Sequence, residues 1–567
     1  MRIYLDIETN LAHDTIWMCA TKKGDEVLVW REPAKLQEYL DGHECVAHNG
    51  IGFDFPVLKK VWGIEVAPEL QRDTLVLSRL YNPELLPPDG TKFKPHSLAA
   101  WGHRLGFPKD DFTDFDGGFS EEMASYCIND VKVLEKLDLM LEETMAELKF
   151  SQESIVLEHK VAQICKGMEQ NGFALDIQKA QILLATLSGE MVDIETEFET
   201  IFPPIVEERI SEKTGKRLKD KVTVFNPGSR KQIASRLMAK GVKLTKKTEK
   251  GSYIIDEKVL AGIDLPEAKI FERYLMIQKR VAAVSSWLTL VGDDGRVHGR
   301  IIPNGAVTGR ATHNTPNMGQ VPAVGKPYGA ECRAMFGVAE GKVQVGVDLS
   351  GIELRCLGHY LNDQEWIDEL LKGDIHWFNA QSFGLVAKGT VKDDNNPEHK
   401  TARNRTKTLT YGVLYGAGAA KAGSIVGGNT SHGKKLIESF VNNTPGLAQL
   451  KAKISRFAKK GHLPGLDGRR VWIRSEHAAL NTLLQSAGAI IAKQWLVECE
   501  DALTAANIPA KIMAWVHDEV QYETDPQYAD AVKEIVEKAA TKAGTVLQFR
   551  CPVDAEGKIG INWYETH

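Results

Sequence analysis

At 567 residues the chain is long enough for roughly three to four domains, and its 43% hydrophobic and 26% charged residues exclude a disordered or fibrous protein. Lys and Arg total 70 against 76 Asp and Glu, a net charge of −6, which excludes a uniformly basic nucleic-acid coat but not a local cationic surface. Eight cysteines with no CxxC pair argue against a disulfide framework or a structural zinc site. Asp6 and Glu8 fall where a signal peptide would need its apolar core. The apolar run at 486–497 is too short for a bilayer and contains Lys493. The expectation is a soluble, intracellular, multidomain protein without membrane association.

Residues 2–8 alternate, with Ile3, Leu5 and Ile7 on one side and Tyr4, Asp6 and Glu8 on the other. That is the period of a half-buried strand, and it puts both carboxylates on one face. Strand-like and helical stretches alternate to about residue 118, predicting an α/β unit. Ser120 then opens a run with helical periodicity almost to 150. Residues 151–200 read as long helices, broken near Asn171-Gly172. From Arg209 to Lys250, 14 Lys and Arg face 3 acids (Glu212, Asp220, Glu249), a local charge of 14 − 3 = +11. After Gly299 the chain is Gly- and Asn-rich to about 330, and strand pattern returns at KVQVGVDL. Boundaries are predicted near 150 and 300.

Asp6 and Glu8 in DIET, Asp54 in HNGIGFDF, and Tyr126 with Asp130, four apart on one helix face, form an acidic constellation. Four carboxylates meeting at one point repel unless cations lie between them. Two hard divalent ions about 3.5–4 Å apart are the solution suited to phosphodiester hydrolysis, with Tyr126 placed to orient the attacking water. Each acid taken singly reads as solvated surface. Together and in this order, DxE on a first strand, NxxxFD, then YxxxD on a helix, they resemble the tyrosine-bearing DnaQ-like 3′–5′ proofreading exonucleases over about residues 1–150. The resemblance implies an RNase H-like fold with Asp6, Glu8, Asp54 and Asp130 as the metal carboxylates.

In VQVGVDLSGIELR, Asp348 ends an apolar strand and precedes Glu353. In AWVHDEVQYE, His517, Asp518 and Glu519 lie between two alternating strands, as a hairpin turn would. Two carboxylates from separate strands can clamp a magnesium pair for in-line displacement on a triphosphate. Between them, Arg403, Lys407, Tyr411 and Tyr415 recur every four residues and form a slowly winding helix stripe. Cations toward phosphates and aromatics toward sugar and base would suit a nucleoside triphosphate. A helix with a solvated basic end and a buried aromatic end fits the same spacing.

DLSGIELR, the R-xxx-K-xxx-YG helix and HDE, in that order, resemble the polymerase motifs of family A DNA polymerases, in particular the replicative enzymes of short-tailed bacteriophages. TGRATHNTPNMGQVP at 308–322 and the segment at 465–489 are similar to further family segments, so the resemblance runs over nearly the whole chain. It implies an α/β exonuclease domain (1–150) beside a right-hand polymerase domain of mixed α+β type. Thumb would span 151–300 and be helical, palm 301–375 and 465–567, and fingers 376–464. Asp348, Asp518 and the Leu349 carbonyl would hold two magnesium ions, with two more at the exonuclease site and manganese as a substitute. Glu519 would be a supporting acid near the primer end. Arg403, Lys407 and His376 would hold phosphates, and Lys407 would protonate the departing pyrophosphate. Glu353 would exclude a 2′-hydroxyl and partner Tyr411 near the sugar 3′ position. Gly412 and Tyr415 would lie where the templating base stacks. Arg310, Gln485 and His517 would contact the primer–template.

The implied partners are primer–template DNA, deoxynucleoside triphosphates, a helicase-primase and a single-strand DNA-binding protein, in the cytoplasm of a bacterial host. Only a short stretch separates Phe202 from Asn226, too little for the insertion through which some phage relatives recruit host thioredoxin. The expectation is thioredoxin-independent synthesis, with the basic segment either holding DNA or forming a solvated Lys-rich loop. A single-subunit RNA polymerase, a catalytically dead replication scaffold and a stand-alone nuclease are the rival readings.

Overall fold

The computed structural model describes residues 1–108 and 112–567. The N-terminal unit is a five-stranded sheet of β1 (Arg2–Thr9), β2 (Ile16–Lys23), β3 (Glu26–Trp30), β4 (Glu44–Ala47) and β5 (Gln71–Asp73), in the order β3-β2-β1-β4-β5. β1 runs parallel to β4 and antiparallel to β2, and β4 runs parallel to β5. Helix α1 (Thr74–Tyr81) follows β5 directly, and α2 (Glu121–Glu147) lies against β1 and β2. Ser120 caps α2 by accepting from the Met123 amide.

Being the central strand, β1 is covered on both faces, which corrects the half-buried expectation. Ile3, Leu5 and Ile7 enter one apolar core while Tyr4 enters another, beneath α2. The alternation separates the two faces as read, but the second is walled by helix rather than water. The β1–β2 register slips between Glu8 and Thr9, a local irregularity of the kind that re-aims side chains at strand ends.

Helix α3 (Gln152–Asn171) joins this unit to the rest of the chain, and α4 (Ile177–Ile201) and α5 (Pro266–Leu290) pack together beyond it. Leu157, Val161, Cys165 and Met168 of α3 belong to the large C-terminal core, whereas Leu183, Phe198, Phe271 and Tyr274 build a separate one. The interval 151–300 therefore spans two cores. It is also not wholly helical: β6 (Ile205–Ile210) and β7 (Arg217–Thr223) form an antiparallel ribbon exposed along its length. Val206 opposite Val222, and the Glu207–Lys221 ion pair at 3.0 Å, hold it locally. The short strand β8 (Arg300–Ile302) then returns the chain toward α3.

The C-terminal unit centres on β9 (Val343–Leu349), β10 (Ala510–Val516), β11 (Glu519–Thr524) and β12 (Ala555–Gly560), an antiparallel sheet ordered β10-β11-β9-β12. Around it stand α6 (Ile352–Leu361), α7 (Ile375–Phe383), α8 (Pro397–Leu414), α9 (Ala479–Ala505) and α10 (Ala529–Val546). Among the described residues no helix is long and apolar enough to cross a membrane.

A buried charge cluster ties α3 to this unit. Glu158 Oε1 accepts from Lys493 Nζ at 2.5 Å and from Arg469, and Arg469 Nη2 donates to Asp467 at 2.6 Å. Lys493 and Glu158 are fully enclosed. Removing one member strands the others in a low dielectric, which typically costs about 3–5 kcal/mol. Arg469→Met is therefore expected to lower the unfolding free energy by that order, measured by denaturant titration, while exposed Lys538→Met changes little.

A second contact sets an acid response. His359, buried beneath Phe549, accepts the Arg550 amide on Nδ1 at 3.1 Å. Burial, then the Arg550 charge, lowers its pKa to about 4, against about 6.5 in an unfolded chain. The unfolded state binds the additional proton between those values. This contribution is thus complete above pH 6.5 and is lost as pH falls toward 4, by about 1–3 kcal/mol. The melting temperature of His359→Gln is expected to fall less steeply than that of the native protein across this window.

Candidate active sites

The sheet register brings the two aspartates of the C-terminal motifs together. Asp348 lies opposite Glu519 on β11, and the Leu349 amide donates to the Asp518 carbonyl at 2.9 Å. His517 and Asp518 form the two-residue turn between β10 and β11, with His517 at φ 61°, the positive φ that tight hairpins need at their first central position. That turn presents Asp518 beside Asp348. Asp348 is the exposed residue of β9; partial enclosure, then the charges of Asp518 and Glu519, push its pKa up to about 7. Enclosure and Glu353 raise Asp518 to about 6. Two hard oxygen donors with uncompensated charge suit a divalent cation.

Glu519 is differently placed. It is 6% exposed, and its carboxylate accepts from Trp563 Nε1, from Gln521 Nε2 at 2.7 Å, and from Arg333 at 3.4 Å, with His567 Nδ1 at 3.1 Å. Burial opposes ionisation, but His567 and Arg333 outweigh it and hold the pKa below the ordinary value. Its lone pairs are engaged by protein donors.

A cavity of about 290 Å³ beside Asp518 is lined by Arg310, Glu353, Tyr415, Gly488 and His517. Here one expectation is corrected: the hydroxyl that donates to Glu353 is that of Tyr415, at 2.9 Å, not Tyr411. Tyr415 follows the last residue of α8, so its ring reaches back across the cleft, and Arg310 approaches Glu353 at 3.8 Å. Tyr411, one turn earlier, lies near-parallel to Tyr415 with centroids 6.5 Å apart and beside His376 at 6.2 Å. A Cβ at Gly412 would meet Ile425 and Ala417 at van der Waals distance. Gln485 is half-buried on α9, one turn before Gly488.

Along α8, Thr406, Leu409, Thr410 and Leu414 are buried, which leaves Arg403, Lys407 and Tyr411 on the other side. Arg403 Nε donates to Asp374 at 2.6 Å, and Lys392 pairs with the same oxygen at 2.9 Å. Burial works against Asp374 ionising, but these donors outweigh it and hold the pKa at about 2. Asp374 thus pre-sets the guanidinium, a role the GDIH segment concealed by drawing attention to His376. His376 is buried, and burial followed by the Arg403 and Lys407 charges lowers its pKa.

In the N-terminal unit, Asp6, Glu8 and Cys127 place potential ligand atoms within 4.8 Å of one another. Burial, then Asp6 and Asp73, raises the pKa of Asp54 well above the usual carboxylate range. Asp54 and Asp130 are 3% and 2% exposed, so these acids are not the solvated surface each suggests alone. Cys127 was missed because nothing local marks it. Burial, then Asp6 and Glu8, holds it as a neutral thiol 3.5 Å from Asp6 Oδ2, which leaves the hard oxygens as the fitting donors for magnesium. Tyr126 lies against Phe112 at 5.6 Å. Asp73, also missed, accepts from the Asn49, Ile51 and Leu75 amides and so shapes the loop that delivers Asp54.

A family model described as DNA polymerase family A matches residues 205–565. The DNA-directed DNA polymerases of Enterobacteria phage T3 and Escherichia phage T7 are each 34% identical, over 94% of this chain and 95% of theirs. DNA polymerase I of Aquifex aeolicus is 27% identical over 99% of this chain and 96% of its own. A solved structure, the POL domain of Pol1 from M. smegmatis in complex with DNA primer-template and dNTP, shares the fold with a TM-score of 0.81 at 21% identity, covering 100% of this chain and 96% of that one. With most of its length matched by the model, and phage relatives aligned nearly end to end, this chain belongs to DNA polymerase family A.

Proposed function

We propose that this DNA-directed DNA polymerase extends a primer at Asp348 and Asp518 with two divalent cations, and trims the primer end in the 3′–5′ direction at Asp6, Glu8, Asp54 and Asp130. The observation that carries the reading is the meeting of Asp348 and Asp518 across β9 and the β10–β11 turn, with their pKa values pushed up to about 7 and 6. When bound, magnesium or manganese would lower the pKa of a primer 3′-hydroxyl and offset triphosphate charge. The Leu349 carbonyl would complete the oxygen set. Arg403 would exchange Asp374 for a phosphate, joined by Lys407 and His376, and Lys407 would return a proton to the pyrophosphate. Glu353 would block a 2′-hydroxyl, while Tyr415 would leave it to admit the templating base. Glu519, tied by four donors, would anchor the start of β11 and so position the turn that carries Asp518. Arg310, Gln485 and His517 would hold the primer–template by shape.

In this reading the N-terminal unit is a DnaQ-like exonuclease and the remainder comprises thumb, palm and fingers. Closing of the α8 helix on a correct pair would assemble the site. The aligned phage relatives favour genome replication in a bacterial cell, with a helicase-primase and a single-strand binding protein alongside. A primer-extension gel with four deoxynucleotides and magnesium tests the reading. Growth of the primer is expected, and its shortening when nucleotides are withheld. Extension by ribonucleotides, or no metal-dependent product, would overturn it.

Tyr411 offers a sharper check. Its hydroxyl would stand in for the missing 3′-hydroxyl of a dideoxynucleotide, so ready dideoxynucleotide incorporation is expected. Tyr411→Phe is expected to raise discrimination about ten- to a hundredfold, the worth of one hydrogen bond in an enclosed site. Single-nucleotide incorporation kinetics measure it.

A further inference from the structure

The loop joining α7 to α8 carries a cation that the Arg403–Tyr411 side of α8 does not include. Lys392 Nζ lies 2.9 Å from Asp374 Oδ2, the same oxygen to which Arg403 Nε donates at 2.6 Å. Asp374 Oδ1 is engaged separately, capping α7 by accepting from the Trp377 amide at 3.2 Å. A single carboxylate oxygen therefore serves two cations from two segments of chain. The other acid near Lys392, Asp394 at 2.8 Å, is 82% exposed, and a solvated pair of that kind contributes little.

Both flanks of Lys392 are pinned. Before it, the Thr390 carbonyl accepts from Trp377 Nε1 at 2.9 Å, and the Gly389 amide donates to Gln381 Oε1 at 2.6 Å, both partners on α7. After it, the Asp393 amide donates to His399 Nδ1 at 3.1 Å, on α8, and the His399 ring packs 4.7 Å from that of Trp377. The loop is thus fixed to the two helices that carry His376 and Arg403, and any displacement of those helices takes the ammonium along.

An anion that draws Arg403 off Asp374 arrives within reach of Lys392 as well, because both cations already meet at one atom. The carboxylate has one negative charge to share between them. A terminal phosphate carries more, spread over three oxygens, and can satisfy a planar guanidinium and a point-charge ammonium together. The flexible lysine stem lets the ammonium follow the change of partner. We propose that Lys392 is a further nucleotide-binding residue, holding the terminal phosphate of the incoming deoxynucleoside triphosphate together with Arg403 and so favouring triphosphate over diphosphate. This rests on the reading above in which Arg403 faces the phosphates.

The test uses the full chain carrying Asp6→Ala and Glu8→Ala, so that the primer survives, on a dideoxy-terminated primer–template with 2-aminopurine in the template. Fluorescence titration in magnesium gives the affinity for the next correct deoxynucleoside triphosphate and, separately, for its diphosphate. Lys392→Met is expected to weaken the triphosphate about tenfold, the worth of one charge-assisted hydrogen bond, and to leave the diphosphate within about twofold. Lys392→Arg, which keeps the charge, restores most of the triphosphate affinity. Asp394→Asn, which removes only the exposed partner, leaves both affinities unchanged. If Lys392→Met binds the triphosphate as the native residue does while Arg403→Met is weakened by about tenfold or more, the proposal is overturned and the phosphate reading of α8 stands. An equal loss for both nucleotides also overturns it, since the lysine would then act only through Asp374 and α7. If Arg403→Met too leaves the triphosphate affinity unchanged, the reading of α8 fails and the proposal falls with it.

Discussion

Asp348→Asn or Asp518→Asn is expected to lower primer extension by at least about 10³-fold, the several kcal/mol of transition-state stabilisation that metal ligation supplies, while DNA binding persists. A structural role for these acids predicts a different pattern in stability. In the metal-free protein both pKa values are held above the ordinary range by enclosure first and then by carboxylate repulsion, from Asp518 and Glu519 on Asp348 and from Glu353 on Asp518. Removing one charge relieves that repulsion, so the variant without divalent cations is expected to melt no lower than the native protein at pH 8. Added magnesium should raise the native melting temperature, because a ligand that binds only the folded state stabilises it by mass action. The same addition should leave Asp348→Asn unmoved. Retained synthesis in either variant would remove the central assignment. A large drop in metal-free stability would recast the pair as structural.

The second large effect is expected at the other end of the chain. Asp6→Ala with Glu8→Ala should abolish primer degradation, by at least about 10³-fold on the same reasoning, and leave extension within about twofold. β1 should survive the change, since its fold rests on Ile3, Leu5 and Ile7 in one core and Tyr4 in another, none of which is touched. A gel of a 3′-mispaired primer, with and without nucleotides, separates the activities. Parallel loss of both would show that the two sites do not act independently, and the buried Glu158–Arg469–Lys493 cluster between the units would be the first place to look for the coupling.

Much of the scaffold could be read locally. The β1 alternation, the Ser120 cap, the buried side of α8 and the two-residue turn at His517-Asp518 each depend on side chains a few positions apart, where strand and helix periods act directly. The same reading erred where the answer lay across the chain. Whether the second face of β1 meets water or α2 is not a property of residues 2–8. The spacing of Tyr411 and Tyr415 defines a stripe, yet which hydroxyl reaches Glu353 depends on how α8 sits over α6. The ribbon of β6 and β7 was hidden in a basic stretch, because its cross-strand pairing carries no apolar alternation buried against a core.

The sequence by itself determined the two acidic constellations, their order and the chemistry those residue types can support, since composition and local period settle which groups share a strand or a helix face. Only the tertiary structure decided which of them meet: Asp348 with Asp518, Asp374 under Arg403, and Cys127 beside Asp6 and Glu8. These juxtapositions arise from strand register and from one element docking on another. They are selected by burial summed over whole cores, a quantity that no short window of sequence contains.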